Sequence, residues 1–380
     1  MKRVPDNPGP GSIVVVTVMS ALLPTVALAD ADLSKAIDEV FAGIDMASQP
    51  GCAAGVIHDG EYVHKAGYGL ANLEYGIPIT SETVFRTGSV SKQFTAMSIA
   101  ILAERGALDL DADVHEYLPD LMDYGHEVTL RQMIHHVSGM GDYDHEVFRK
   151  ADGTEFRFGN EDYATIDEFY RMVTRAGLVF EPGSRYQYSN LAYFLLAHVV
   201  ETVSGKTLRQ FAQEEIFDRL GMSDSLFNDN VNQPVTNRAD GYQLMDDGSW
   251  EIFMTNLDWV GDGGVYTNLD DFIKWDQNFY KNKLGKGGQS LIDGVQAPYP
   301  GAIEYTDHGP RNVNYAFGLR IDESNGEYMI GHTGGLVAFS SLYNRYPELN
   351  LSIVVFCNST ASSAPELGRE VGKLAVAAFK

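Results

Sequence analysis

The rhythm of hydrophobic and polar positions changes along the chain. Leu33, Ile37, Val40, Phe41 and Ile44 recur at helical spacing and predict a surface helix over 33–46. Two short apolar runs follow, Cys52–His58 and 62–68, on either side of Asp59-Gly60. An Asp-Gly pair between such runs predicts a β-hairpin, because its tight turn needs positive φ. The middle of the chain then turns helical. Residues 89–104 carry Phe94, Met97, Ala100 and Ile101 along one side, and Gly106 follows as a stop. Similar patterns predict helices over 129–136, 166–175, 190–203 and 207–219. The last part returns to strands, predicted over 316–321, 327–332, 337–346 and 351–358, with a closing helix over 365–379.

Strands at both ends with helices between them predict a mixed α/β (α+β) fold. One antiparallel sheet is completed by both chain ends, and a mostly helical lobe of about residues 85–245 is inserted. A cleft between the lobes is the expected place for a site. The 380 residues exceed a minimal domain, and a hydrophobic content of 44% supplies a sizeable core.

The first residues read as an export signal rather than as part of the fold. Lys2 and Arg3 are followed by an apolar stretch over 12–24 and then by Ala27-Leu28-Ala29, the small-x-small pattern that signal peptidase reads. Cleavage is expected after Ala29, leaving residues 30–380 as one exported domain, periplasmic or secreted. An uncleaved anchor is the alternative, but the run is interrupted by Pro24 and is short for a spanning helix. No stable membrane anchor is expected. The formal net charge of −24 argues against nucleic acid and anionic membrane surfaces as partners.

Candidate chemistry lies in three places. In Thr87-Gly88-Ser89-Val90-Ser91-Lys92 a serine opens a helix and a lysine stands one turn on, on the same face. A serine hydroxyl becomes a nucleophile when a base removes its proton, and a lysine of lowered pKa can serve. Ser89 could equally be a plain N-cap. Tyr188-Ser189-Asn190 follows a Glu-Pro-Gly-Ser turn and precedes an apolar helix. A tyrosine beside a lysine can become phenolate-like and exchange protons, and an asparagine can hold both lysine and a substrate amide. Packing and helix capping are the bland reading, and Tyr280-Lys281-Asn282 has the same spacing. His332-Thr333-Gly334-Gly335 follows a predicted strand, where glycines let a substrate backbone lie close. Taken alone it reads as a Gly-Gly hairpin turn.

In their order and context, these motifs resemble those of the penicillin-recognising serine hydrolases: class C β-lactamases, D-alanyl-D-alanine carboxypeptidases, and related esterases and D-aminopeptidases. The resemblance runs from about Ala53 to the end. It includes Phe85-Arg86-Thr87-Gly88, the stretch from Gly106 to Asp113, the stretch from Thr129 to Gly139, Gly263-Gly264-Val265-Tyr266-Thr267 and Tyr315-Ala316-Phe317-Gly318-Leu319. It implies a β-lactamase-like fold with the site between the lobes. Ser89 would be the nucleophile, Lys92 its proton partner, and Tyr188 the general base and acid. Asn190 would hold Lys92 and the substrate amide. His332, Thr333 and Gly334 would form the motif on an edge strand, and the N–H groups of Ser89 and Gly335 the oxyanion hole. Neither metal nor organic cofactor is implied. The expected substrate is a small molecule or peptide whose amide bond is cleaved through an acyl-enzyme, as in D,D-peptidases or β-lactamases. A carboxylesterase or D-aminopeptidase on the same scaffold is the alternative, and a non-catalytic penicillin sensor the rival from another class.

The sequence departs from most β-lactamases at His332, where a lysine is usual. A histidine is only partly charged near neutral pH and anchors a substrate carboxylate less well. No dedicated deacylating glutamate is apparent. The resemblance also sets the first strand antiparallel beside the last, so Cys52 and Cys357 are expected within disulfide range. Two unpaired buried cysteines are the alternative. Adjacent His135 and His136 are read as one packed and one exposed, and Asp142, Asp144 and His145 as a solvated acidic loop.

Overall fold

The computed structural model describes residues 23–143, 145–149 and 165–380, with side chains from residue 32 onward. Its principal elements in chain order are helix α1 (Leu23–Val40), strands β1 (Cys52–His58) and β2 (Glu61–Tyr68), and helices α2 (Lys92–Glu104), α3 (Asn190–Ser204) and α4 (Leu269–Tyr280). Strands β3 (Asn314–Tyr315), β4 (Arg320–Ser324), β5 (Glu327–Leu336), β6 (Phe339–Tyr346) and β7 (Leu351–Cys357) follow, and helix α5 (Ala364–Phe379) closes the chain.

These strands form one antiparallel sheet in the order β3-β4-β5-β6-β7-β1-β2, so the two chain ends meet inside it. The β1–β2 hairpin turns on Asp59 (φ 50°) and Gly60 (φ 80°), the positive angles that Asp-Gly supplies cheaply. Cys52 is the register partner of Cys357, and a disulfide joins them with Cα atoms 4.0 Å apart.

Alternation along the strands splits the apolar residues between two cores. Ala54, Val56, Ile353 and Val355 face outward under α1 and α5, where Ile37, Phe41, Val371 and Ala375 cover them. Ala53, Val354, Phe356 and Tyr343 face inward, against α2, α3 and α4. Helix α2 is buried on every side from Lys92 to Leu102, which explains why its amphipathic pattern is weak. The serine therefore sits where a wholly buried helix begins.

The elements differ from the sequence expectation at several points. The first helix ends at Val40, not 46, and continues only as turns to Ile44; Gly43, which lacks helix propensity, lies in that stretch. Residues 316–319 are a turn between β3 and β4, closed by Ala316 N–H to the Leu319 carbonyl at 2.7 Å, with Gly318 at φ 71°. The strand predicted over 316–321 is therefore a turn that leads into β4 at Arg320. His332 to Gly335 lie inside β5 and not in a hairpin turn. The export-signal reading rests on residues 1–29, of which 1–22 lie outside the described residues. Among the described residues, no helix is long and apolar enough to cross a membrane.

Candidate active site

The serine turn is fixed from two sides. Gly88, at φ 51°, turns the chain into a short 3-10 segment, Gly88–Ser91, that runs directly into α2. A short strand, Val265–Thr267, holds it from one side: Thr87 N–H donates to the Val265 carbonyl at 2.9 Å, and Val265 N–H donates to Ser91 Oγ at 3.0 Å. From the sheet, Ser341 Oγ donates to the Thr87 carbonyl at 2.6 Å. Glycine is required where β5 meets this turn. A Cβ on Gly334 would stand 2.1 Å from the Thr87 carbonyl oxygen and 2.9 Å from Ser89 N, and one on Gly88 would stand 2.7 Å from Gly335 N. The backbones of Ser89 and of Gly334-Gly335 are thus side by side.

Lys92 is fully buried one turn after Ser89 and uses all its donors. Its Nζ donates to Asn190 Oδ1 and to the Asp262 carbonyl, each at 2.6 Å, and to Ser89 Oγ at 3.2 Å. The two shorter bonds end on carbonyl oxygens, which only accept. When Lys92 loses a proton, its lone pair consequently turns to Ser89. Burial brings its pKa down to about 8, against the upward pull of the Asp262 and Asp142 charges.

Asn190 opens α3, but Ser189 caps that helix, its Oγ accepting Ala192 N–H at 3.0 Å. The asparagine side chain is left free to connect Lys92 to Asp142, whose Oδ2 accepts Asn190 Nδ2 at 3.1 Å. The Tyr188 hydroxyl is buried beside the Ser89 side chain, and its ring lies 4.9 Å from Lys92 Nζ. Burial pushes its pKa well up, against a smaller downward influence from Ser89. The phenolate-like state expected beside a lysine is therefore not the resting state; desolvation outweighs the cation. The other Tyr-x-Asn, at Tyr280, stands at the exposed end of α4, away from this cluster.

His332 lies on the inner face of β5, with Nε2 3.0 Å from the Tyr315 hydroxyl and Nδ1 against the Thr333 carbonyl. A carbonyl only accepts, so Nδ1 carries the proton and Nε2 accepts from Tyr315. Burial, with the Lys92 charge beside it, brings the pKa down to about 3, so the histidine is neutral where partial charge was expected. Strand β5 is also not a terminal strand of the sheet. Strand β4 pairs only with Glu327 to Gly331, however, so His332 to Leu336 pair with β6 alone and form a local edge. Thr333 and Gly335 are exposed along it.

Several site residues escaped the sequence reading. Asp142, read as solvated, is half-buried and braces Asn190. Asp262 accepts from Lys92 through its carbonyl and from the Tyr143 hydroxyl through Oδ2 at 2.5 Å. Its neighbours Gly261 and Gly264 sit at positive φ and make that turn possible. Arg320 on β4 is exposed and has no ion-pair partner among the described residues, and its charge is felt at Tyr186, Tyr188 and His332. His135 and His136 are both buried, so neither is the exposed member of a pair. Asp144 lies outside the described residues. A broad surface depression lined by Ala36, Val40, Leu244 and Trp250 lies between α1 and α5 and is remote from Ser89.

A serine-lysine pair opening a buried helix, a tyrosine and asparagine opposite, and a glycine-bearing strand alongside define the class of serine hydrolases that share this sheet. The family model described as Beta-lactamase matches residues 37–377, and the chain belongs to that family. A D-aminopeptidase of Gluconobacter oxydans (strain 621H) is 27% identical over 314 residues, covering 83% of this chain and 57% of that protein. Penicillin-binding protein 4* of Bacillus subtilis (strain 168) is 26% identical over 316 residues, covering 79% of this chain and 66% of that protein. The chain thus spans about 57–66% of the length of these relatives. The structure of the octameric penicillin-binding protein homologue from Pyrococcus abyssi shares 25% identity and superposes with a TM-score of 0.74, over 93% of this chain and 78% of that one. The fold is β-lactamase-like, an antiparallel sheet flanked by helices.

Proposed function

We propose that the protein is a serine acyl hydrolase that cleaves an amide bond through an acyl-enzyme on Ser89. The observation that carries this reading is the Lys92 arrangement, a buried amine whose third donor faces Ser89 Oγ and whose pKa is brought down to about 8. At pH 7 roughly one such amine in ten is neutral. Neutral Lys92 takes the Ser89 proton as Oγ attacks the carbonyl carbon. The oxyanion is received by the N–H groups of Ser89 and Gly335. The neutral Tyr188 phenol donates its proton to the leaving nitrogen and regains one from Lys92. Water then attacks the acyl-enzyme, gives its proton to the same pair, and Ser89 leaves with a proton restored.

A peptide or β-lactam with a carboxylate is the favoured substrate. His332 is neutral and cannot anchor that charge as a lysine would, but Arg320, a cation without an ion-pair partner among the described residues, has a field that reaches Tyr188. Thr333 lies exposed on the local edge of β5, where a substrate backbone can add as a strand. A second reading, a D-aminopeptidase, is favoured by the Gluconobacter oxydans relative. Hydrolysis of a D-alanyl-D-alanine peptide, a penicillin, a D-amino-acid amide and a p-nitrophenyl ester, by wild type and Ser89→Ala, separates these readings. The proposal expects Ser89-dependent turnover of at least the first or second. Turnover of the amide alone selects the aminopeptidase, and activity that survives Ser89→Ala overturns both.

We also infer export to an oxidising compartment, supported by the signal-like residues 1–29 and by the Cys52–Cys357 disulfide.

A further inference from the structure

His136 is fully buried and has no part in the proton path above. It adopts φ 59°, a left-handed conformation that non-glycine residues rarely take. From there it holds the segment carrying Tyr188 at two points. Its carbonyl accepts Gln187 N–H at 2.9 Å, and its ring Nδ1 accepts Ser189 N–H at 3.1 Å. Tyr188 lies between those two anchored residues, and its ring packs on the imidazole with centroids 4.3 Å apart. Tyr315 and Tyr193 contact the imidazole ring at 4.5 Å and 5.1 Å.

An Nδ1 that accepts a backbone N–H must be unprotonated, so the ring is the Nε2–H tautomer. That Nε2 is buried with no partner among the described residues, so there the ring satisfies one of its two polar atoms. An apolar ring here would leave the buried Ser189 N–H without its acceptor.

We propose that His136 is the positioning residue of Tyr188, clamping the residues on either side of it through an uncharged Nδ1 and a left-handed backbone. The inference rests on the reading of Tyr188 as proton donor to the leaving group. Because Lys92 and Ser89 are held by other residues, loss of the clamp should impair proton donation more than nucleophilic attack.

The experiment compares His136→Asn, His136→Gln and His136→Phe with wild type. Asparagine tolerates positive φ and puts its Oδ1 where Nδ1 stands. Glutamine and phenylalanine provide no acceptor there. Each variant is assayed on an amide, whose leaving nitrogen must be protonated, and on a p-nitrophenyl ester, whose leaving group needs no proton. Folding is checked by circular dichroism, and Ser89 by fluorophosphonate labelling. The expected result is a kcat on amide lowered by roughly tenfold or more in Gln and Phe, with KM and the burst of p-nitrophenol release from the ester, which precedes the water step, changed less than about threefold. Asn should restore the amide rate. Equal losses on amide and ester, or an Asn variant as poor as Gln, would overturn the assignment. If Phe does not fold, the Asn and Gln pair decides. Failure of wild type to label with fluorophosphonate would refute the serine-hydrolase reading itself, a result distinct from failure of the clamp.

Discussion

Lys92 Nζ stands 2.6 Å from Asn190 Oδ1, and through that asparagine the lysine is tied to a carboxylate, Asp142. The amine is caught between opposing effects. Burial favours the neutral form, while Asp262 and Asp142 favour the charged one. The balance near 8 sets a testable pH dependence. Below that value the proton must be removed before Lys92 can act, so kcat/KM should rise about tenfold per pH unit between 6 and 7.5 and level off above 8. Removing the Asp142 charge with Asp142→Asn takes away an upward influence and should move the midpoint to lower pH. A stopped-flow or plate-reader pH profile of both proteins checks the sign.

His332 should contribute nothing to that profile. Its pKa lies near 3, held down by burial and by Lys92, so it is uncharged throughout the working range. A His332→Gln variant is expected to keep the shape of the pH profile between 5 and 8, whatever its rate. A limb near 6.5 that vanishes in the variant would show that the histidine titrates.

Replacing Gly334 by alanine would drive a Cβ into the Thr87 carbonyl and toward Ser89 N. Both neighbours are backbone and cannot rotate aside. Gly334→Ala should lose Ser89 labelling by about tenfold to a hundredfold, because donors aimed at the oxyanion move with the turn. Gly294→Ala, in a helix with nothing within 4 Å of the new methyl, is the matched control. It should leave labelling intact and raise stability by roughly 0.5–1 kcal/mol.

The disulfide closes a sequence separation of 305 residues at one end of the β1–β7 pairing. Cys52→Ala with Cys357→Ala should cost about 2–5 kcal/mol of stability, chiefly by releasing the unfolded chain. Urea denaturation measures it. Activity at low temperature should persist, since both cysteines pack in the outer core while Val90, next to Ser89, packs in the inner one.

Much of this arrangement could be read along the chain because it is local. Asp59-Gly60 announces its hairpin, and Ser89 and Lys92 share a face by helical spacing alone. Tyr188 and Asn190 gain meaning only from context, since Tyr280-Lys281-Asn282 has the same form and sits at a helix end. Asp142, Asp262 and Arg320 could not be found this way. Each reaches the site across the fold, and an acidic residue beside glycine or tyrosine looks like loop chemistry until its partner is known. The neutral states of His332 and Tyr188 were also hidden, because they follow from burial rather than from residue type. The 316–319 turn was read as strand because its apolar residues pack inward although the backbone reverses.

The most direct test of an acyl-enzyme on Ser89 is intact-protein mass spectrometry after mixing with a fluorophosphonate and, separately, with a penicillin, for wild type and Lys92→Met. The account predicts a stoichiometric fluorophosphonate adduct that peptide mapping places on Ser89, and a penicillin adduct or penicillin turnover. In Lys92→Met, labelling should slow by about 10²–10⁴-fold. Folded wild type that takes up neither reagent, or an adduct on another residue, would contradict it.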